Sequence, residues 1–142
     1  MRHLFILLSL FGVLHYRADA LPPVSIKNFP EKILLVTLDE VGTIAVNNDP
    51  VGSDQLANYI QERLFKSFLG TGEMHSRIKL EKANADVPDV VTEAIVKEIK
   101  EGQHKALTSV CLQKYKKTFD TLDEKKKEKL KKQFPVLFQT DF

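Results

Sequence analysis

The clearest hydrophobic pattern of the chain is a pair of short apolar runs separated by a turn. Ile33–Leu38 is apolar and partly β-branched, which favours a strand buried on at least one face. Residues 39–42 open with Asp and close with Gly, as a type I turn prefers. Residues 43–46 alternate polar and apolar, as a half-buried return strand does. The sequence therefore predicts a β-hairpin, and residues 47–50 are expected to end its second strand.

A helical pattern follows the hairpin. Apolar residues recur at every fourth position and would share one face: Leu56, Ile60, Leu64 and Phe68. Ser53 precedes this stripe and can cap the helix, while Gly70 and Gly72 are expected to end it. The sequence predicts an amphipathic helix laid across the hairpin.

A further strand is predicted at residues 76–82, where polar and apolar residues alternate. Ile78 and Leu80 would share one face, and the charged residues between them would face water. Charges at these positions also protect an edge strand from unwanted pairing. Residues 83–87 are expected to form a loop.

A long apolar stripe begins after Pro88, a residue well suited to the first position of a helix. Its members recur at helical spacing: Val91, Ala94, Ile95, Ile99, Ala106, Leu107, Val110 and Cys111. Gly102 interrupts the stripe. We therefore predict one long helix with a weak point at Gly102.

A short, highly charged helix is predicted after a break at residues 118–120. Thr121 and Glu124 have the spacing of a capping box, so the helix would cover residues 122–133. Its expected apolar contacts are few: Leu122 and Leu130. The tail beyond it has no periodic pattern and carries three apolar anchors: Leu137, Phe138 and Phe142.

The first twenty residues resemble a targeting segment. A basic start, an apolar stretch at residues 4–14 and Ala18-x-Ala20 match a secretory signal cleaved after Ala20. As a helix, that apolar stretch reaches about 16 Å, whereas a bilayer core needs roughly 30 Å. A retained membrane anchor is therefore the second interpretation, and a buried N-terminal helix the third. Residues 21–30 contain several prolines and are expected to form an extended linker.

Charge is distributed unevenly along the chain. The net charge of +2 is too small to indicate a nucleic-acid partner, but residues 113–133 contain nine lysines and four acids. This run predicts a solvated helix face, or alternatively a patch for anionic lipid, nucleic acid or peptidoglycan carboxylates. Single-stranded nucleic acid would require aromatic residues among the lysines. The aromatics available here lie outside the charged helix face: Tyr115, Phe119 and Phe134.

Side chains capable of catalysis or metal binding are few and scattered. Four acids lie close in sequence, and turn and cap chemistry accounts for them: Asp39, Glu40, Asp49 and Asp54. Cys111 falls within the apolar stripe and is predicted to be a small core residue. Ser53 lacks the second glycine of a nucleophile elbow, because Gln55 stands in that place.

Cysteine and histidine usage argues against a metal centre. The single cysteine excludes an intramolecular disulfide and a cysteine-based zinc site, and the four histidines lie far apart without ligand spacing. We therefore predict no catalytic, cofactor-binding or metal-ligating residue, no cofactor, and a protein that is not an enzyme.

The order of these elements resembles the biopolymer-transport ExbD/TolR family. In that family an apolar strand ends in Leu-Asp and is followed by two residues, Gly, a short strand, Asn, then Pro or Val and a helix carrying a Leu. The corresponding residues here are Leu38, Asp39, Gly42, Asn47, Val51 and Leu56. Residues 78–81 and the Val87-Pro88 step are similar to the family's second strand and the helix that follows it. Phe134-Pro135 resembles the end of a charged final helix in one subgroup.

The resemblance covers about residues 31–135 and implies an anchored protein with a periplasmic domain. Such a protein dimerises, works inside a pentameric ExbB/TolQ-type channel and couples proton flow to a TonB- or TolA-type partner. The family's proton-carrying aspartate lies near the start of its transmembrane helix. This chain has no acid between Met1 and Ala18, so that role is carried over to no residue. Glu81 stands where the family usually has Asp.

The sequence as a whole predicts an α+β fold, a small mixed β-sheet with helices packed on one face, preceded by a signal or membrane-anchor helix. We expect a signal or anchor at 1–20, a linker at 21–30, an ExbD/TolR-like periplasmic domain at 31–118 and a Lys-rich helical extension at 119–142. The expected function is a non-enzymatic component of a cell-envelope transport complex, at the inner membrane and facing the periplasm. The alternative is a secreted or soluble periplasmic module that contacts an anionic envelope surface through its Lys-rich helix. A small hydrolase has the least support.

Overall fold

The structure is a computed structural model that describes residues 32–142. The predicted signal or anchor at 1–20 and the predicted linker at 21–30 lie outside these described residues. Within them the elements occur in this order: β1 (Ile33–Leu38), β2 (Ile44–Val46), β3 (Asp49–Val51), α1 (Leu56–Thr71), β4 (Arg77–Lys82), α2 (Asp89–Tyr115) and α3 (Glu124–Gln133). Two 3-10 turns, Phe119–Thr121 and Pro135–Phe138, flank α3.

The four strands form one mixed sheet in the order β3-β2-β1-β4. β2 runs antiparallel to both β1 and β3, whereas β4 runs parallel to β1 and is reached through α1. A parallel neighbour requires such a crossover, because a tight turn can join only antiparallel strands. The predicted α+β class and mixed sheet are confirmed, and the charged strand β4 lies at an edge of the sheet.

The helices cover one face of the sheet, as predicted. On β1, Leu34, Val36 and Leu38 are fully buried, while the residues between them are only half-buried. Strand side chains alternate between faces, so this pattern means that one face is covered and the other is open. The buried face packs against the apolar sides of α1 and α2.

The second strand of the hairpin ends at Val46, as predicted, but the chain then returns to the sheet as β3, a strand that the sequence analysis did not predict. Asn47 and Asn48 have φ values of 49° and 71°, so they form a tight two-residue turn into β3. Asparagine tolerates this left-handed conformation better than most residues, and it is favoured in such hairpins. Pro50 is accommodated because β3 is an edge strand, where a missing N–H need not be paired.

Two predicted helix caps are also wrong. The N-cap of α1 is Gln55 rather than Ser53, and no side chain caps that end. The N-cap of α3 is Asp123, whose carboxylate accepts from the Lys126 N–H at 2.9 Å. Thr121 instead donates its hydroxyl to the Thr118 carbonyl, within the preceding 3-10 turn. Several capping residues compete at each boundary, and the tertiary path of the chain selects among them.

Helix α2 is continuous over 27 residues, so the predicted single long helix is confirmed. Gly102 is not a break. It is buried where α2 meets α1, and a Cβ built there would lie 2.7 Å from the Ala57 carbonyl oxygen. Glycine allows the two helix backbones to approach closely at this point.

The C-terminal segment shares the core of the rest of the chain. Its buried members belong to the same cluster as the sheet and the long helix: Leu122, Leu130, Phe134, Val136 and Leu137. Leu122, Leu130 and Leu137 were predicted as apolar contacts or anchors, and α3 itself contributes only Leu130. The Gln103 side chain donates to the Val136 carbonyl at 2.7 Å, which ties α2 to the final 3-10 turn.

Candidate functional site

The four acids that lie close in sequence do not form one site. Asp39 Oδ1 accepts from the N–H groups of Val41 and Thr43, at 3.1 and 2.7 Å, and so holds the β1–β2 turn. Glu40 accepts from the Asn84 amide at 2.6 Å. Asp54 lies exposed before α1. Among residues 32–142, no group of three His, Cys, Asp or Glu side chains is arranged to hold a metal ion.

Asp49 takes part in a surface cluster that joins β3 to α1. The Tyr59 hydroxyl donates to Asp49 Oδ2 at 2.7 Å, and the Arg63 guanidinium forms an ion pair with the same carboxylate. Arg63 also lies 5.0 Å from the centre of the Tyr59 ring. Hydrogen bonding to Tyr59 is the main cause that raises the pKa of Arg63. This cluster fastens an edge strand to a helix and is satisfied internally.

Cys111 is a core residue, as predicted. Its side chain is fully buried, and burial raises the pKa of the thiol. A thiol with a raised pKa holds little thiolate, the form that reacts as a nucleophile. Cys111 therefore acts as a small packing residue on the buried side of α2.

His75 was not singled out in the sequence, and it is the least satisfied polar group that the structure describes. It is half-buried, and its Nδ1 atom is buried without a hydrogen-bond partner among the described residues. Burial lowers the pKa of His75, and the nearby charges of Lys32 and Arg63 lower it further. No local sequence signal predicts this, because the three residues come from separate parts of the chain.

His75 lines a crevice of about 550 Å³ between the α1–β4 loop and the end of α3. Glu73 and Lys132 also line it, and so carry opposite charges into the same space. The C-terminal ends of α1 and α3 meet there as well, which adds partial negative charge. Because groups of both charges line this crevice, its electrostatics do not favour one class of ligand.

The lysines of α3 fall into two groups, which the sequence did not separate. Three of them form ion pairs with acids three positions earlier: Lys126 with Asp123 at 2.8 Å, Lys127 with Glu124 at 3.0 Å, and Lys131 with Glu128 at 2.9 Å. Lys126 and Lys127 are half-buried. The three acidic residues of α3 and its N-cap are therefore all engaged in ion pairs with these lysines.

The remaining three lysines of α3 form what we call the lysine stripe: Lys125, Lys129 and Lys132. All three are exposed, and within the described part of the chain none has an ion-pair partner. Their spacing of four and then three positions places them on one side of the helix. Lys114 of α2 lies beside the stripe, donates to Gln133 Oε1 at 2.9 Å, and has its pKa lowered by burial and by Lys129.

The aromatic residues near α3 lie beneath lysine side chains. Lys127 Nζ is 5.8 Å from the centre of the Phe119 ring, and Lys126 Nζ is 5.9 Å from that of Tyr115. Lys114 Nζ is 5.4 Å from the centre of the buried Phe134 ring. These rings anchor the inner side of α3 and are not displayed between the lysines of the stripe.

In residues 32–142 there is no helix with the length and apolar character needed to cross a bilayer. Although α2 is long, charged residues are distributed along it. Comparison with protein-family models, curated proteins and solved structures finds no match for this chain.

Proposed function

We propose that this protein is a non-enzymatic component of a cell-envelope transport complex of the ExbD/TolR type. It would sit at the inner membrane, face the periplasm, dimerise, and dock on ExbB/TolQ-type channel subunits and a TonB- or TolA-type partner. The observation that carries the proposal is that the residues behind the family resemblance occupy the positions that hold this fold together.

The first half of the resemblance coincides with the β1–β2–β3 hairpins. Asp39 accepts two backbone N–H groups in the first turn, and Gly42 has a φ of +85°, which favours glycine. Asn47 turns the chain into β3, and its side chain accepts from the Leu35 N–H at 2.9 Å. The Asp, Gly and Asn of the motif therefore have defined physical roles in forming the hairpins.

The second half of the resemblance coincides with the crossover. Ile78 lies fully buried on β4, parallel to β1 and paired with Leu34. Val87 is buried, and the Pro88 carbonyl accepts from Val91 and Thr92 at the start of α2. The hairpin motif and the crossover motif both have structural roles in this fold, and they occur in the same order as in the family. Together they support kinship with the family more strongly than either motif alone.

The distribution of reactive groups favours a docking protein over a hydrolase. Cys111 is sealed in the core, and the buried Nδ1 atom of His75 has no hydrogen-bond partner among the described residues. Nucleophilic catalysis needs a nucleophile and a base within hydrogen-bonding reach. The described hydrogen bonds link neither group to such a partner.

The first experiment determines where the mature chain begins and where it resides. Intact mass is measured on salt-washed membranes and on the soluble fraction, and native complexes from the membranes are identified by mass spectrometry. We expect the chain to start at Met1 in the membrane fraction and to migrate with a channel subunit. A start at Leu21 in the soluble fraction would overturn the proposal in favour of a soluble binding module.

A variant with Ala18→Gln and Ala20→Gln is the matched control, because signal cleavage needs small residues at these two positions. If the wild-type leader is retained, this variant should divide between the membrane and soluble fractions in the same proportion as the wild type. If the wild-type leader is cleaved, only the variant should keep Met1.

A further inference from the structure

We propose that the lysine stripe of α3 binds the phosphate headgroups of an anionic phospholipid membrane. The surface consists of Lys125, Lys129 and Lys132, with Lys114 at its side. This inference rests on the stripe alone and does not depend on the proposed channel partners.

The stripe is not explained by the stability of the helix. Like charges three or four positions apart repel one another, so Lys125–Lys129 and Lys129–Lys132 disfavour α3 slightly. The nearby acids could have relieved this repulsion, but Glu124 and Glu128 pair with lysines outside the stripe. The helix therefore keeps three cations without ion-pair partners among the described residues together on one side, although Lys132 still interacts with Glu128 at longer range.

The stripe points away from the core. Leu130 is fully buried and defines the inner side of α3, and the half-buried Lys126 and Lys127 flank that side. At 3.6 residues per turn, the three stripe lysines fall within a narrow arc well away from Leu130. Their ammonium groups can therefore approach a flat surface together.

The chemistry of the stripe fits a lipid surface better than a protein or a nucleic acid. Lysine is depleted in protein–protein interfaces, where arginine and aromatic residues are enriched, and the stripe contains neither. Binding of single-stranded nucleic acid uses exposed rings for stacking, whereas Tyr115 and Phe119 lie under Lys126 and Lys127. Clusters of lysine on a helix are typical of proteins that bind anionic headgroups.

The test compares binding of the full chain to phosphatidylcholine vesicles with and without phosphatidylglycerol, at low and high salt. The stripe variant carries Lys125→Gln, Lys129→Gln and Lys132→Gln. Each lysine near an anionic surface strengthens binding about fivefold, so this variant should lose about 100-fold of the preference for phosphatidylglycerol. High salt should weaken the wild-type preference.

The matched control carries Lys126→Gln, Lys127→Gln and Lys131→Gln, which removes the same charge from the same helix. It should lose clearly less of the preference, since these lysines already have carboxylate partners. The leader is present in every variant, so its own membrane affinity cancels in the comparison. The stripe variant should unfold at the same temperature as the wild type or slightly higher, because repulsion is relieved.

Acetylation of lysines, read by mass spectrometry, provides a second measurement. Vesicles with phosphatidylglycerol should protect the stripe lysines, and vesicles of phosphatidylcholine alone should not. Equal losses in the two triple variants would overturn the proposal, because they would indicate diffuse attraction by net charge. Protection of the stripe only in a complex with another protein would also overturn it, and would assign the surface to a protein contact.

Discussion

At the scale of single residues, Gly102 decides how closely α1 and α2 approach. The two helices run in the same direction, since Asn58 and Gln61 of α1 bond to Lys105 and Ser109 of α2. Gly102 lies at this contact, with no room for a side chain. Glycine weakens an isolated helix, so its presence here reflects packing against α1.

We expect Gly102→Ala to destabilise the protein by about 1–2 kcal/mol. The added Cβ would lie 2.7 Å from the Ala57 carbonyl oxygen and 2.8 Å from the Ile60 Cβ, and such overpacking outweighs the gain of about 1 kcal/mol in helix propensity. Urea unfolding measures the difference. Gly70→Ala is the matched control, because a Cβ there meets nothing within 4 Å and should be neutral or stabilising. Equal stability of the two variants would contradict the role of Gly102.

His75 should make stability depend on pH. Burial lowers its pKa below the ordinary value of 6.5, so the folded protein resists a proton that the unfolded chain accepts. Its contribution to stability is therefore fully present above pH 6.5 and is lost as the pH falls through the lowered pKa. His75→Gln should show a smaller loss of unfolding free energy over this range, measured by urea unfolding at several pH values.

An NMR titration of the His75 imidazole provides the control for that experiment. The ring should titrate below 6.5 in the folded protein and near 6.5 in urea. A folded-state midpoint above 6.5 would refute the prediction and would indicate a neighbouring negative charge.

At the scale of elements, the turn between β2 and β3 depends on Asn47. This residue adopts a φ of 49° and also accepts from the Leu35 N–H, so it fixes both the turn and its position against β1. Asn48, with a φ of 71°, shares the left-handed conformation, but within residues 32–142 its side chain makes no comparable hydrogen bond to β1.

We expect Asn47→Ala to cost about 2 kcal/mol, because it removes a hydrogen bond and forces alanine into a left-handed conformation. Asn47→Gly should cost about 1 kcal/mol, since glycine tolerates the conformation and only the hydrogen bond is lost. Thermal unfolding compares the two. Asn48→Gly should be neutral or stabilising, because an Asn-Gly pair suits this turn. The reverse order of Asn47→Ala and Asn47→Gly would disprove the assignment.

At the scale of the whole molecule, the last residues close the structure. The Gln139 side chain accepts from the Ile78 N–H at 2.8 Å and donates to the Ile78 carbonyl at 2.7 Å. One side-chain amide thus takes the place of a neighbouring strand at the edge of β4. Gln103 donates to the Val136 carbonyl from the other side. The tail is therefore held by both the sheet and α2.

A chain that ends after Gln133 should lose cooperative unfolding. It lacks three buried side chains, Phe134, Val136 and Leu137, each of which contributes about 1.5–3 kcal/mol. Their sum is comparable to the total stability of a small domain, about 5–15 kcal/mol. Near-UV circular dichroism and urea unfolding test this. A chain that ends after Thr140 is the control and should stay folded. Unchanged unfolding of the shorter chain would mean that residues 134–142 are dispensable.

Local patterns in the sequence predicted much of the fold. Ile33–Leu38 was predicted with its observed bounds, and the buried stripe of α1 and the continuous α2 followed from helical spacing. β3 was missed because Pro50 and two asparagines mark the end of a strand as readily as a hairpin. The caps of α1 and α3 were misplaced because neighbouring residues can cap equally well.

The sequence by itself determined the elements with a strong period and the presence of a lysine-rich helix, because apolar spacing and charge are local properties. Only the tertiary structure decided which lysines have acid partners and which form the stripe. It alone placed His75 beside Lys32 and Arg63, Gly102 against α1, and Gln139 on the edge of β4. These contacts join residues far apart in the chain, and their energies depend on distances that no local pattern contains.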